Sequence, residues 1–372
     1  MTSSLADVPA IDQHAHPLEL PPRGLEVEEF RTLFTEARRE PERVGETVFY
    51  RWAVRELAEA LGLDVSEDFP EVEAAVLSAR ASDPTSYARS LLQKTNLEAL
   101  LLDTGYGGGG TLEKHESLLQ SPVFEILRVE SVAERLLPEA SSAGELLAAV
   151  EESLSRSEAL GFKTVVAYRG GLTLPLDPSE EEVEQAFEAE KAAGGAEVRV
   201  QQPALLGALL LVALRAAGRT GKPLQVHTGF GDEDLYLPAT DPALLKPLLD
   251  HPLTASARVV VLHAYPYVRQ AGWLASLYPN VLLDLSLSIP LTAHAAEGII
   301  SAALELAPWS QLLYASDGFI GPELFILGAR RFREALAGVL EDLVEQKFLG
   351  GSEPEALAEA VLRGNARKIY AI

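Results

Sequence analysis

Two histidines separated by one residue, His14 and His16, lie near the beginning of the chain. Residues two apart cannot share a helix face, because neighbours on a helix face are three or four positions apart. On a β-strand they do share a face, since side chains alternate with a period of two. Imidazole is the commonest protein ligand for zinc-like metals. The pattern predicts a strand that presents two imidazoles to a metal ion, with a polar surface strand as the alternative.

Three further polar residues end apolar runs later in the chain, and a loop follows each of them. They are His227 after Gln225-Val226, His263 after Val261-Leu262, and Asp317 after Ala315-Ser316. Random placement would rarely put four of the seven histidines at such positions. Imidazoles and a carboxylate suit a catalytic metal with open coordination positions.

Alternating strands and helices provide the frame that positions these side chains. Runs that are apolar throughout, such as 259–262, indicate strands buried on both faces, as in a parallel sheet. The predicted strands lie within 8–16, 97–104, 123–129, 161–171, 222–229, 258–264, 280–286 and 311–318. Eight such units predict a closed (β/α)8 TIM barrel with its active groups at the carboxyl ends of the strands. We expect one domain over 1–372, with a helical insertion at 24–95 after the first strand.

Composition excludes several classes of partner and site. The 372 residues carry a formal net charge of −24, which argues against binding to nucleic acid or an anionic membrane. No cysteine is present, so disulfides and thiolate metal sites are excluded. The N-terminal segment lacks a basic region followed by an apolar run, so no leader is expected, and we expect no apolar run of the ~18 residues that a membrane span needs. A cytoplasmic protein with a small-molecule substrate is expected, and a homo-oligomer remains open.

These residues resemble the site of the amidohydrolase superfamily. The resemblance is carried by Ile11-Asp12-Gln13-His14-Ala15-His16-Pro17, Gly161-Phe162-Lys163, Ala167-Tyr168-Arg169, Gln225-Val226-His227-Thr228-Gly229 and Tyr314-Ala315-Ser316-Asp317. It spans nearly the whole chain and is greatest for the branch related to the N-terminal part of FluG and nodulin-type glutamine-synthetase fusions. No glutamine-synthetase domain is expected after Ile372.

The resemblance implies a role for each site residue. His14, His16 and Asp317 would hold one divalent ion, and His227 and His263 a second. Lys163, carboxylated on its amine, would bridge the two ions. Asp317 would also act as the general base, with His263 as a further catalytic residue. Zinc is the expected metal, with manganese or iron as alternatives.

The position of Lys163 leaves the number of metal ions open. It lies near the start of its apolar run, five residues before Tyr168, so the alternative places it at the lower rim of the strand. The site would then be mononuclear, with His14, His16, His227 and Asp317 as ligands. In that case His263 would serve as an acid or base on the substrate side.

The other polar residues that the sequence singles out are expected to contact substrate or to have structural or surface positions. Arg169, just past the fourth strand, could bind a substrate carboxylate bidentately, and Tyr168 could also contact substrate; a surface salt bridge is the alternative for the arginine. The remaining interpretations are a structural pair of Arg128 with Glu130, a buried hydrogen-bonded carboxylate at Asp284, and surface positions for His115, His251 and His294.

The resulting hypothesis is a metal-dependent hydrolase that cleaves an amide or related C–N bond in a small carboxylate-bearing molecule. One rival is a mononuclear metal-dependent decarboxylase or sugar-acid isomerase on the same scaffold, which metal count and the state of Lys163 would separate. The second rival is a non-catalytic binding protein built on a degenerate barrel. Fold alone cannot choose among reactions.

Overall fold

Eight parallel strands in consecutive order form the centre of the molecule in the computed structural model. The structure describes residues 5–20, 24–37, 40–66, 68–106, 110–194 and 199–372. The strands are β1 (Ala10–Ala15), β2 (Leu97–Asp103), β3 (Val123–Arg128), β4 (Gly161–Thr164), β5 (Leu224–His227), β6 (Val259–Leu262), β7 (Val281–Asp284) and β8 (Leu312–Leu313). Each pairs in parallel with the next, which confirms the predicted (β/α)8 TIM barrel.

The barrel closes through the segment that follows β8. The Asp317 amide donates to the His14 carbonyl at 3.0 Å, and the His16 amide donates to the Gly318 carbonyl at 2.7 Å. An isolated bridge between Leu18 and Ile320 continues the pairing. These bonds fix the carboxyl end of β1 directly against the loop that carries Asp317.

Helices surround the barrel and alternate with its strands. Those after β2 are α6 (Leu112–Leu119), α7 (Val129–Leu136), α8 (Ala143–Arg156), α9 (Glu180–Ala193), α10 (Pro203–Thr220), α11 (Lys246–Asp250), α12 (Val268–Leu277), α13 (Ser288–Thr292), α14 (Ala296–Leu304), α15 (Glu323–Glu345), α16 (Glu353–Glu359) and α17 (Asn365–Tyr370). The apolar interior of the strands and the inward helix faces together form the main core. A barrel built in this way holds the loops after its strands rigidly at one mouth.

The helix α10 is nearly all apolar because it is buried in the shell of the barrel. By length and composition it could cross a membrane, with a mean hydropathy of 1.3 over 18 residues, which corrects the expectation that no segment reaches that length. However, 61% of it is buried inside the molecule, and it packs against α8 and α9. A helix that is hydrophobic on every side is typical of a protein core as well as of a membrane span.

Between β1 and β2, where 21–23, 38–39 and 67 are outside the described residues, the described part of the chain forms five α-helices. They are α1 (Val27–Arg31), α2 (Pro41–Val44), α3 (Val48–Leu61), α4 (Phe69–Ser82) and α5 (Pro84–Gln93). Their apolar side chains form a second core with Leu287 and Phe319, from the loops after β7 and β8. The insertion therefore packs beside the mouth of the barrel.

A buried ion pair also joins the insertion to the barrel. The Nε of Arg80 on α4 donates to the Glu323 carboxylate on α15 at 2.9 Å, and both side chains are 1% exposed. Two guanidinium nitrogens of Arg80 and the second carboxylate oxygen of Glu323 have no hydrogen-bond partner. A buried pair of this kind constrains how two elements dock more than it stabilises them.

Candidate metal centre

Side chains from β1, from the residue that follows it and from the loop after β6 converge on the carboxylate of Asp317, which lies after β8. Its Oδ1 lies 3.1 Å from His14 Nε2 and 3.3 Å from His16 Nε2. Its Oδ2 lies 3.7 Å from His263 Nδ1. Donor atoms of His14, His263 and Asp317 all lie within 4.8 Å of one another, and all three residues are buried. Residues about 300 positions apart in the chain thus meet at one point.

The orientation of His14 is fixed by Gln225 on β5, which contacts the ring nitrogen that faces away from Asp317. The Gln225 side-chain nitrogen donates to the backbone carbonyl of Gln13 at 2.8 Å, and a carbonyl can only accept. The other end of the amide, Oε1, therefore faces His14 Nδ1 at 2.9 Å and accepts its proton. This assigns the lone pair of His14 to Nε2, the atom that faces Asp317.

His263 is oriented in the same way by Ser286, just after β7. The Ser286 hydroxyl donates to Asp284 Oδ1 at 2.7 Å, so its oxygen accepts from His263 Nδ1 at 2.8 Å. His16 Nδ1 lies 3.3 Å from the backbone carbonyl of Asp103, which can only accept. Histidines that bind metals usually donate their second nitrogen to such a partner, which fixes the tautomer and the ring orientation.

Several buried atoms at this centre that could bind a metal ion lack hydrogen-bond partners. They are Nε2 of His227, Nε2 of His263 and Oδ1 of Asp317. The His227 and His263 rings are 4.5 Å apart between centroids. Unsatisfied buried polar atoms are costly, and an ion or water at the site would satisfy them. The donor set of neutral imidazoles and one carboxylate therefore fits a divalent metal ion.

Lys163, the third residue of β4, points to this centre and not to the lower rim, so that alternative is wrong. Its amine lies 2.9 Å from His14 Nε2 and 3.2 Å from Asp103 Oδ2. The same Asp103 oxygen contacts the Arg128 guanidinium at 2.6 Å. Arg128 and Lys163 hold the pKa of Asp103 well below its usual range, although burial opposes this effect.

Burial determines the electrostatics of the site. It lowers the pKa of His14 to about 4, with the Lys163 amine adding to the effect, and it lowers the pKa of His263 to about 3. Burial and the neighbouring His263 lower the pKa of His227 well below 6.5. The pKa of Asp317 lies well below 3.8 in spite of burial, because the surrounding His263, His14 and His16 side chains favour its anion. Neutral imidazoles facing an anionic carboxylate are the protonation states that bind metal.

The backbone is strained where it delivers two of these side chains. His263 has φ 66° and Asp317 has φ 54°, and Ala264 also lies in the left-handed region at φ 62°. Such conformations cost of order 1–3 kcal/mol each in a non-glycine residue and cluster at functional sites. The strain turns both side chains at the ends of short strands toward the barrel axis.

A cavity of about 890 Å³ opens above the centre. Its lining includes His16, Lys163, His227 and Asp317, together with Phe319, which packs on the insertion. Four arginines also line it, and they are Arg128, Arg135, Arg169 and Arg199. Five carboxylates line the cavity as well, and they are Glu36, Glu134, Asp232, Asp234 and Asp317. The cavity therefore offers both cationic and anionic side chains beside the histidines.

The two predicted substrate residues, Tyr168 and Arg169, both line this cavity. The Tyr168 ring lies 4.6 Å from the His227 ring between centroids. The Arg169 side chain is 9% exposed and donates to Glu134 at 2.8 Å through Nη2. Its Nε and Nη1 are buried without partners, so the guanidinium retains unused donors at the cavity wall.

Two interpretations of other residues need correction. His115 is buried at 1% exposure, and its Nε2 accepts from the Leu18 amide at 2.7 Å, so it is not a surface histidine. Arg128 pairs with Asp103 and not with Glu130. Glu130 instead accepts from the Thr164 hydroxyl and the Val165 amide at the end of β4. Burial, the largest effect, raises the pKa of Glu130.

Other predictions for polar residues agree with the structure. Asp284 is a buried, hydrogen-bonded carboxylate, as expected, and it accepts from the His263 amide at 2.8 Å. His294 is exposed. His251 differs from its predicted surface position, because it is half-buried, and its Nδ1 accepts from the Leu253 amide at 3.3 Å.

Sequence reasoning missed three residues that organise the centre. Asp103 ends the apolar run of β2, which is the same signal that singled out Asp317. Gln225 and Ser286 lie beside predicted strand ends, but neither residue type indicated that it would orient a histidine. Only their cross-barrel contacts identify these two.

Comparison with known proteins gives one family and several related structures. Residues 149–372 match the model of the amidohydrolase family. The chain is 32% identical to protein FluG of Emericella nidulans over 97% of its own length. It spans 45% of that fungal protein, or about half its length.

Solved structures support the same relationship. A Lactobacillus casei protein, provisionally named a metal-dependent hydrolase, superposes with a TM-score of 0.88 at 27% identity, covering 99% of this chain and 97% of its own. Uronate isomerases from Thermotoga maritima and Bacillus halodurans share the fold at a TM-score of 0.63, with 14% and 13% identity. They cover 98% and 99% of this chain, and 95% and 94% of their own chains are matched. With its barrel, its clustered histidines and its match to the family model, the chain belongs to the amidohydrolase family.

Proposed function

We propose that this protein is a metal-dependent hydrolase that cleaves an amide or related C–N bond in a small carboxylate-bearing molecule. The observation that carries the proposal is the convergence of His14 Nε2 and His16 Nε2 on one oxygen of Asp317, at 3.1 and 3.3 Å. Family membership supports a metal-dependent enzyme, and the Lactobacillus casei relative carries a corresponding name.

The residues that would hold divalent metal are those with lone pairs aimed at the centre. His14, His16 and Asp317 would form one set, and His227 and His263 offer the unpaired Nε2 atoms for a second. When bound, a divalent ion polarises a carbonyl group and makes water nucleophilic near neutral pH. Zinc is the proposed metal because imidazole and carboxylate ligands both suit it, and manganese or iron would also be accommodated.

Asp317 is the proposed general base. Its carboxylate is anionic at neutral pH, and it borders both the histidines and the cavity. A carboxylate in this position can accept the proton that the attacking water loses. His263 Nδ1 lies 3.7 Å from the other oxygen of Asp317, and His263 is the proposed second catalytic residue. It would serve as an acid or base on the substrate side if its Nε2, which has no hydrogen-bond partner, does not bind a metal ion.

Arg169 is the proposed carboxylate-binding residue. Its guanidinium keeps two unpaired donors, and a guanidinium matches the two oxygens of a carboxylate. The contact with Glu134 leaves Arg169 well oriented at the cavity wall. Binding one end of the substrate there would place its remaining part beside the histidines.

A mononuclear lyase or isomerase is the second candidate function. The pairing of the Lys163 amine with Asp103 at 3.2 Å favours it, because an ammonium that pairs with a carboxylate cannot bridge two cations. A carboxylated Lys163 would be an anion and would favour the two-metal hydrolase. The uronate isomerases share the fold, which is compatible with either reaction.

The test combines metal analysis with a substrate panel. Protein stripped with a chelator would be reloaded with zinc, manganese or iron, and bound metal would be counted by mass spectrometry. Turnover would then be measured on N-acyl amino acids, on the matching amides without a carboxylate, on aromatic carboxylic acids and on uronates. We expect hydrolysis of the carboxylate-bearing amides only in metal-loaded protein. Isomerised uronate or released carbon dioxide would establish the second candidate instead.

A further inference from the structure

We propose that Tyr370, on α17, is a positioning residue for the candidate metal centre, and that its hydroxyl holds the Gln225 amide against His14. The inference rests on the part of the proposed function that makes His14 a metal ligand, and it applies equally to the hydrolase, the lyase and the isomerase. Tyr370 does not belong to the described residues that line the cavity. Its effect on the site would therefore pass through Gln225.

Helix α17 lies at the end of the barrel opposite the mouth. The Arg367 guanidinium on this helix donates to Glu98, near the start of β2, at 2.8 Å. The Tyr370 side chain is 3% exposed and packs with apolar side chains from several strands inside the barrel. A β carbon built on Gly161, the first residue of β4, would lie 3.1 Å from Tyr370 Cε1, so the glycine leaves room for the ring. The ring thus enters the barrel from below.

The Tyr370 hydroxyl makes two hydrogen bonds inside the barrel. It accepts from Gln225 Nε2 at 2.8 Å and donates to Gln13 Oε1 at 2.6 Å. Gln13 and Gln225 are fully buried. A phenol has one proton and an amide nitrogen can only donate, so the direction of both bonds is fixed. A phenylalanine would fill the same space but could make neither bond.

These bonds determine which way the Gln225 amide faces. Its Nε2 has two protons and three nearby acceptors: the Gln13 carbonyl at 2.8 Å, the Tyr370 oxygen at 2.8 Å and Gln13 Oε1 at 3.0 Å. The Tyr370 proton already satisfies Gln13 Oε1, which leaves the second Gln225 proton to the tyrosine. With Nε2 held on two sides, the amide oxygen faces His14 Nδ1 at 2.9 Å.

Loss of the hydroxyl would loosen this arrangement without opening a cavity. Gln225 would keep its bond to the Gln13 carbonyl, but its second proton would have only the more distant Gln13 Oε1. His14 would then lose the rigid acceptor that keeps the lone pair of its Nε2 at the metal centre. The outer partner of a metal-binding histidine is typically worth about 10–100-fold in metal affinity.

The first experiment measures zinc affinity against a competing chelator in a double-mutant cycle. We expect Tyr370→Phe to weaken zinc binding about tenfold and Gln225→Leu up to about 100-fold. The double variant should bind zinc as weakly as Gln225→Leu alone, because the tyrosine acts through that amide. Tyr50→Phe is the matched control, since it removes a buried hydroxyl that donates to Glu73 in the insertion, and its zinc affinity should equal that of the wild type.

The cycle separates positioning from a general loss of stability. Urea denaturation of the four variants would show which of them are destabilised. Unchanged zinc affinity in Tyr370→Phe overturns the inference. Losses that multiply in the double variant, or a loss in Tyr50→Phe as large as that in Tyr370→Phe, overturn it as well.

The second experiment needs no metal. Nitrogen-15 NMR of histidine-labelled, metal-free protein distinguishes protonated from unprotonated ring nitrogens, and comparison with His14→Gln identifies the His14 signals. We expect a single tautomer with the proton on Nδ1 in the wild type and a mixture of tautomers in Tyr370→Phe. A single, unchanged tautomer in the variant overturns the inference.

Failure of the proposed function would give a different result. Wild-type protein that binds no zinc, manganese or iron contradicts a metal-dependent enzyme, and the His14 tautomer still decides whether Tyr370 positions the imidazole. Wild-type protein that binds metal but cleaves no amide of the panel rejects the hydrolase alone, and both experiments on Tyr370 keep their meaning.

Discussion

His14 on the first strand and Asp317 after the eighth are joined twice, by backbone and by side chain. The Asp317 amide donates to the His14 carbonyl at 3.0 Å, and the Asp317 carboxylate lies 3.1 Å from His14 Nε2. The contact that closes the barrel is therefore also the contact that assembles the candidate metal centre. Formation of the site depends on completion of the fold, because neither residue is near the other before closure.

His16→Ala should abolish both bound metal and turnover. The substitution removes one of the two Nε2 atoms on the shared Asp317 oxygen, and the remaining ligands would leave that ion undercoordinated. Bound metal would be counted by mass spectrometry after gel filtration. His294→Ala, which changes an exposed histidine, is the control and should keep full metal content. Full stoichiometry in His16→Ala would remove His16 from the ligand set.

Sequence alone predicted the barrel and the five strand-end residues because their signals are local. An apolar run such as 259–262 indicates a strand that is buried on both faces, and a polar residue at the end of the run indicates a position at the mouth of the barrel. For His263 and Asp317 these signals did not reveal the strained backbone that turns each side chain inward. That strain is supported by contacts across the barrel.

The remaining parts of the site depend on contacts between distant residues. Gln225 orients His14 across 211 positions, and no feature of its own segment indicates this. His115 resembled a surface histidine because it lies on an amphipathic helix, yet its partner, the Leu18 amide, belongs to the loop after β1. For Lys163 the sequence left a lower-rim position open as the alternative, because the residue lies near the start of its apolar run. The strand β4 has only four residues, so its third residue already reaches the mouth.

Lys163→Ala distinguishes one metal ion from two. In a two-metal enzyme the wild type would hold two ions, with Lys163 carboxylated between them, so the variant should fall from two ions to about one or none and lose activity. In a mononuclear enzyme the ammonium only pairs with Asp103, and the variant should keep one ion, with Arg128 still neutralising that carboxylate. Metal stoichiometry, combined with the mass of the intact protein under carbon dioxide, is the measurement. Unchanged binding of two ions would exclude a bridging role.

Metal affinity should depend only weakly on pH between 7 and 5. Protons compete with metal at a histidine only below its pKa in the metal-free protein. The pKa is about 4 for His14 and about 3 for His263, so these two ligands are already neutral at pH 5. Zinc affinity, measured against a competing chelator, should fall far less than the roughly hundredfold per pH unit that two unperturbed histidines would add. A fall of that size from these two ligands would contradict the burial of their rings.

Arg169→Gln should raise KM for carboxylate-bearing substrates about 10–100-fold and change kcat little. This range corresponds to the loss of a charge-assisted hydrogen bond, worth about 1.5–3 kcal/mol. An amide that lacks the carboxylate should be cleaved equally by wild type and variant. Arg156→Gln, which alters an exposed arginine on α8, is the control. A lower kcat with unchanged KM would move Arg169 from substrate binding to a contact made only in the transition state.

Arg80→Ala should lower the free energy of unfolding by about 3–5 kcal/mol, because it leaves the Glu323 carboxylate buried without its cation. Arg43→Ala removes an exposed pair with Glu40 from the same insertion, and it should cost no more than about 1 kcal/mol. Both values can be measured by urea denaturation.

The double variant Arg80→Met/Glu323→Gln tests the cause of the loss, since it removes both charges and retains most of the buried volume. If the loss arises from the uncompensated charge, the double variant should recover most of the stability of the wild type. If it arises from packing between α4 and α15, the double variant should remain close to Arg80→Ala. Limited proteolysis of 40–66 in the three proteins would then show whether the insertion detaches from the barrel when the pair is broken.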